Sequence, residues 1–154
     1  MPETTVNGND MFSTVSHPRT SEPGPFWQTA FSEQVATAYF TRLMVEHDPD
    51  AVDFLAPEYH QHNPTIPSGT DGLREMFTSF FEQFPDALIE PKRIIADGDM
   101  VAVHAHYRVD PDGLGQAITD LFRVQKRAGE WKVVEHWDVI QDVPETSAND
   151  NTMF

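Results

Sequence analysis

The sequence predicts an α+β domain: a curved antiparallel sheet, shaped like a cone, with N-terminal helices enclosing a pocket. Three observations predict it. Apolar residues recur at helical spacing in the first part of the chain. Four β-rich runs then follow one another. Only short turn signals separate those runs. Helices first and strands after mark segregated layers, not alternating βαβ units.

Residues 1–25 read as a polar tail, rich in Asn, Thr, Ser and Gly and holding Pro2, Pro18, Pro23 and Pro25 without a sustained period. Residues 26–142 form the single domain. Residues 143–154 are a second polar tail whose apolar end, Met153-Phe154, gives it a means of docking on the body.

From Phe26 to His47 the pattern is helical, with a stripe of Phe31, Val35, Ala38, Tyr39, Arg42, Leu43 and Val45. Asp48-Pro49 ends it, because a residue before proline avoids the α region. Asp50 is placed to cap a short second helix through Leu55. Pro57 stops that helix, and Glu58 to His62 reads as a short extended piece. A turn segment from Asn63 to Gly69 leads to a third helix from about Asp71 to Phe84, with Leu73, Phe77, Phe80 and Phe84 at helical spacing before Pro85. Leu88 to Ala96, Met100 to Val109, Gln116 to Gln125 and Glu130 to Gln141 are the β-rich runs. The turns between them are Asp97-Gly-Asp99, Asp110-Pro-Asp-Gly113 and Ala128-Gly129. Consecutive strands with short loops make an antiparallel meander, and a hollow between such a sheet and its helices is the default place for a small ligand.

Composition removes several function classes. The 154 residues fit one domain that buries its own core. There is no cysteine, so disulfides and thiolate chemistry are excluded. Acidic residues outnumber Lys and Arg by 25 to 10, for a formal charge of −15. Without a basic patch the chain is not expected to bind nucleic acid or an anionic membrane. No apolar run approaches the ~20 residues of a spanning helix. No signal peptide is visible, so a cytoplasmic location is the default expectation. The chain has no GxSxG elbow and no glycine-rich phosphate loop.

Strand alternation sorts the ionisable residues onto faces. His104 and His106 share a face with Ala102 and Arg108, while Val101, Val103, Ala105, Tyr107 and Val109 take the other and read as core. The His face is then a polar cavity, a subunit interface or solvent. Asp120 shares its face with Ile118 and Phe122. A carboxyl on an apolar face is costly unless paired, and either raises its pKa or finds a donor. It is a candidate general acid or base; the alternative is a structural ion pair with Arg108 or Arg123. In the last strand Val134, His136, Asp138 and Ile140 share one face and Val133, Glu135, Trp137 and Val139 the other. Both sets mix apolar and ionisable groups, so parity leaves the pocket face open. His60 and His62 share a face of a polar turn or of a rim over the pocket. His104-x-His106 is a short metal-binding pattern that needs a third ligand; no metal and no cofactor are expected.

The segments Tyr59-x-x-His62-Asn63-Pro64, Val103-His104, Asp120-Leu-Phe-Arg-Val124 and Val134-Glu-His-Trp-Asp-Val139-Ile-Gln141, in this order, resemble the SnoaL-like branch of the NTF2-like superfamily. The Asn-rich end at Met153-Phe154 resembles a bacterial subgroup described as aldol-condensation enzymes. The resemblance runs from about Phe31 to the C-terminus. It implies a cone-shaped α+β barrel, a homodimer formed through the sheet, and polyketide-cyclase-type aldol chemistry without cofactor on a small-molecule substrate. It implies that Asp120, with His106 and His104 from the preceding strand, is catalytic. It places His62 near the pocket mouth, and Tyr59, His136 and Trp137 are taken as further pocket residues. The chemistry expected is acid/base work next to a carbonyl, in a cyclase, isomerase or lyase; the alternative is a non-catalytic module that binds a small ligand.

Overall fold

A computed structural model describes residues 25–154; the expected tail at 1–25 lies, but for Pro25, outside the described residues. The order of elements is α1 (Phe26–Phe40), a π turn (Thr41–Val45), a 3₁₀ helix (Pro49–Phe54), β1 (Leu55–Gln61), α2 (Thr70–Gln83), β2 (Leu88–Asp97), β3 (Met100–Arg108), β4 (Gln116–Arg127) and β5 (Glu130–Asp142).

The face that α1 buries is one position off the expected stripe. Ser32, Ala36, Tyr39 and Phe40 are buried, continuing to Leu43, whereas Phe31 and Val45 are exposed. Small residues at 32 and 36 let the helix approach closely, and Phe31 instead stacks on Trp131 with ring centroids 5.7 Å apart. The helix ends in a π turn, where the N–H of Glu46 donates to the carbonyl of Thr41 at 2.9 Å. Asp48, not Asp50, caps the 3₁₀ helix: its Oδ1 accepts the backbone N–H of Asp50 at 3.0 Å. Pro57 does not stop that helix but lies inside β1, which begins earlier than expected. A proline is tolerated there because β1 is an edge strand. Arg74 ties α2 to the 3₁₀ helix through Asp50 and, at 2.9 Å, Asp53.

The sheet has the order β1-β5-β4-β3-β2. Strands β2 to β5 are the antiparallel meander, and β1 adds to β5 in parallel, so the expected wholly antiparallel sheet is a mixed one. The curved sheet does not close into a barrel. Three irregularities interrupt its register: between Pro91 and Arg93 on β2, opposite Arg123/Val124, where β5 steps from Val133 to Glu135, and between Leu55 and His60 on β1. The second lets Val133 and Val134 both be buried and turns His136 and Asp138 toward the helices. On the inner face Val101, Val103 and Ala105 of β3, Phe122 and Val124 of β4 and Val133 of β5 pack against Ala36, Tyr39, Phe40, Leu43 and Leu73. Among the described residues no helix is long and apolar enough to cross a membrane.

The corner between β3 and β4 depends on Gly115. Its φ is +69°, and an added Cβ would lie 2.3 Å from the carbonyl oxygen of Tyr107. Gly115→Ala is therefore expected to destabilise the fold by at least about 1–3 kcal/mol. Urea denaturation measures this, and an unchanged midpoint would contradict the tight corner.

Candidate active site

The inner face of the sheet and the helices enclose a cavity of about 260 Å³. Its walls are Phe40, Leu43, Met44, Leu73, Met76, Phe77, Phe80, Ile89, Ile118 and Phe122, and its polar groups gather where β1, β4 and β5 run side by side. Register explains the gathering. Asp120 lies opposite Val103 on one side and Asp138 on the other, and Phe122 lies opposite His136. Asp120 and His136 are thus diagonal neighbours on one face, within side-chain reach.

His136 Nε2 and Asp120 Oδ1 are 2.9 Å apart, with side chains 7% and 15% exposed. The proton between them can be located by following the chain of partners. The backbone N–H of Asn63 donates to Gln61 Oε1 at 2.9 Å. A backbone N–H only donates, so this atom of Gln61 is its oxygen. His136 Nδ1, 2.9 Å from the same oxygen, must therefore carry hydrogen. That leaves Nε2 to face Asp120. The pair shares one proton, as imidazolium with carboxylate or as imidazole with carboxylic acid, and is neutral overall in either form. A second amide is fixed in the same way: Thr65 N–H donates to Asn63 Oδ1 at 2.9 Å, so Asn63 Nδ2 donates to Asp138 Oδ2 at 2.6 Å.

Burial pushes the Asp120 carboxyl above the ordinary carboxylate range. The hydrogen bond and the charge of His136 oppose that shift, and the nearby Asp138 reinforces it. Burial, then Tyr59 and Asp120, hold the Tyr39 phenol well above its usual value. Burial, then Asp120 and Asp138, raise that of Tyr59, and burial alone pushes Tyr107 up to about 12. The cavity is thus lined by phenols that stay protonated around a carboxyl poised to exchange a proton.

The structure brings Asp120, His136 and Tyr59 together in this cavity. It does not bring His104 and His106 there. The expectation that they line the pocket with Asp120 is corrected by register: Val103 pairs with Asp120, so its neighbours on β3 point to the opposite face of the sheet. Arg93 donates to His104 Nδ1 at 2.8 Å, His106 Nε2–H donates to the carbonyl of Leu114 at 2.8 Å, and the Phe154 ring stacks on His106 with centroids 4.1 Å apart. His62 and Trp137 also lie off the cavity wall, stacked on each other 4.8 Å apart. His62 bonds Glu135 at 2.9 Å, and Arg123 sits over the Trp137 ring. The alternative of a structural ion pair for Asp120 is met by neither arginine: Arg108 bonds Glu90, and Arg123 bonds Glu135 and Asp99.

Sequence reasoning missed Asp138, Gln61, Asn63, Tyr39 and Tyr107 as cavity residues. Alternation did group Asp138 with His136, and Asn63 follows the paired His60 and His62. Neither Tyr39 nor Gln61 carried a distinguishing signal. One donor atom each from Asp120, His136 and Asp138 lies within 4.8 Å of the others, a spacing a divalent cation could bridge. The Nε2 that such an ion needs is already engaged by Asp120, so the set as it stands is arranged to hold a proton.

A family model described as a SnoaL-like domain matches residues 36–136, more than half of the chain. No curated protein matches it. A SnoaL-like protein of unknown function from Burkholderia thailandensis E264 superposes with a TM-score of 0.60 at 19% identity, covering 78% of this chain and 99% of that one. A candidate ketosteroid isomerase from Kribbella flavida DSM 17836 gives 0.55 at 16% identity, covering 79% and 86%. A candidate polyketide cyclase from Bacillus cereus ATCC 10987 gives 0.52 at 17%, covering 68% and 71%. At such identities these likenesses speak for the fold. With the family model and the α+β architecture in agreement, this chain belongs to the SnoaL-like family.

Proposed function

We propose that this chain is a cofactor-independent acid/base enzyme that acts on carbon next to a carbonyl, of the aldol-condensation and cyclase type, on a small and largely apolar substrate. The observation that carries this reading is the one-proton pair of Asp120 and His136 at the polar end of an apolar cavity. Oδ1 of Asp120 is held by His136, and among the described residues no donor engages Oδ2. With the shared proton on His136, Oδ2 takes the α-proton from the substrate carbon. The C–H electron pair becomes the enolate π bond, and the negative charge moves to the substrate oxygen. That charge develops beside an imidazolium in a cavity with mostly apolar walls, where it is stabilised more than in bulk. The enolate carbon then attacks a second carbonyl, a C–C bond forms, and Asp120 returns its proton to the new alkoxide. If the enolate is reprotonated elsewhere, the outcome is isomerisation.

Three measurements test the reading, with 2-acetylnaphthalene, an uncharged aryl methyl ketone, as probe. Asp120→Asn is expected to lower exchange of its methyl protons with solvent deuterium by about 10²–10⁴-fold, followed by mass spectrometry, with the circular dichroism of the fold unchanged. Full exchange in this variant refutes the assignment.

The same substitution has a stability signature. Because burial raises the folded-state pKa of Asp120, its stabilising contribution is complete below the unfolded carboxylate value. That contribution is lost as pH rises through the folded value. Asn mimics the protonated form at every pH. The variant is therefore expected to have a higher Tm than wild type at pH 7 and an equal one in acid, and a Tm lowered at pH 7 contradicts the direction. Finally, since no step uses a metal, dialysis against EDTA is expected to leave exchange unchanged; a loss restored by a divalent cation would move the chemistry to the Asp120, His136 and Asp138 donor set.

A further inference from the structure

Gln61 fixes a second proton besides that of His136. Its Oε1 is identified by the backbone N–H of Asn63, so its other end is the NH₂ group. That group lies 3.0 Å from Tyr59 Oη. An amide nitrogen offers no lone pair, so Gln61 donates and Tyr59 accepts. The proton of the phenol itself is left unspent, and among the described residues no acceptor lies within hydrogen-bond distance of it. Tyr59 is 7% exposed and lines the cavity beside Asp120. A buried donor without a partner is costly, and a ligand oxygen entering the cavity removes that cost. Burial and the two neighbouring carboxyls keep this phenol protonated. Tyr39 lines the same cavity, but no such amide directs its hydroxyl.

We propose that Tyr59 donates the hydrogen bond that receives the carbonyl oxygen of the substrate, and that Gln61 is the positioning residue that aims it. The proposal rests on the acid/base reading of the same cavity and adds its electrophilic half. As Asp120 removes the α-proton, charge accumulates on the oxygen that Tyr59 faces. The phenol keeps its proton throughout, so its bond strengthens in the transition state without any transfer.

The test uses 2-acetylnaphthalene labelled with ¹³C at the carbonyl, bound to the full chain and observed by infrared difference spectroscopy. In the wild type the C=O band is expected below its position in hexane, the mark of a donated hydrogen bond. In Tyr59→Phe the ring and its packing remain, the band is expected to return to the hexane position, and affinity is expected to fall by about three- to tenfold. Gln61→Leu is expected to return part of the shift and, in ¹⁵N spectra of the free protein, to change the ring-nitrogen signals of His136. Asp120→Asn is expected to lose exchange and keep the shifted band. A band unmoved by Tyr59→Phe overturns the proposal, and so does a wild type that does not bind the ketone. Full exchange in Asp120→Asn together with a Tyr59-dependent band would remove the acid/base reading and leave Tyr59 as a ligand-binding donor.

Discussion

The hydrogen bond between Asp120 and His136 crosses two strands on the inner face of the sheet, beside the buried valines and Phe122 of the core. Without His136 the buried Asp120 carboxyl would be unpaired, at a cost of several kcal/mol by order of magnitude. Together they form a neutral unit that carries one movable proton. The surroundings serve to keep that unit neutral and oriented. The helices supply apolar walls, and the neighbouring Asp138 accepts a hydrogen bond from Asn63 Nδ2 on its Oδ2. Its negative charge close by disfavours ionisation of a second carboxyl, which is why it reinforces the upward shift of Asp120.

Orientation comes from β1, the strand that departs from the meander. It lies parallel to β5 and pairs Gln61 with His136. Just beyond it, the backbone N–H groups of Asn63 and Thr65 turn back onto the Gln61 and Asn63 side chains. Two amides that could point either way are thereby fixed by groups that cannot reverse. One short segment determines how His136, Asp138 and Tyr59 are hydrogen-bonded. The same segment connects the 3₁₀ helix to α2, so the cavity wall and the proton directions share one covalent origin.

How much of this was legible in the sequence differs from residue to residue. The helix period, the turn signals and the alternation on β3 and β4 were sufficient for the α+β class, the four-stranded meander and the apolar setting of Asp120. Alternation had also read Val103 as core, and its pairing with Asp120 is what puts His104 and His106 outside. That conclusion needs the register between β3 and β4, which no local pattern carries. Without register, two histidines on the preceding strand resembled pocket residues. The last strand failed for a different reason. Its two faces are equally mixed in composition, and the irregularity at Val133–Val134 buries adjacent residues, which a strict period of two cannot represent. The parallel edge was invisible because Leu55 to Gln61 contains Pro57 and lacks an alternating pattern.

The outer face of the sheet shows why the polar residues there are not a second copy of the same chemistry. His104, His106 and His62 are each engaged, by Arg93, by the carbonyl of Leu114 and by Glu135. Two of them are covered by the aromatic ring of Phe154, over which Lys92 also sits. An imidazole bonded to guanidinium and stacked on a ring has neither a free lone pair nor a cavity to act in. His136 differs through its partners and not through its type: a carboxyl on one nitrogen, an amide oxygen on the other, and the largely apolar walls of the cavity around them. Any histidine could have been placed on this sheet, but only the position diagonal to Asp120 and adjacent to Gln61 couples an imidazole to a proton that the cavity can use.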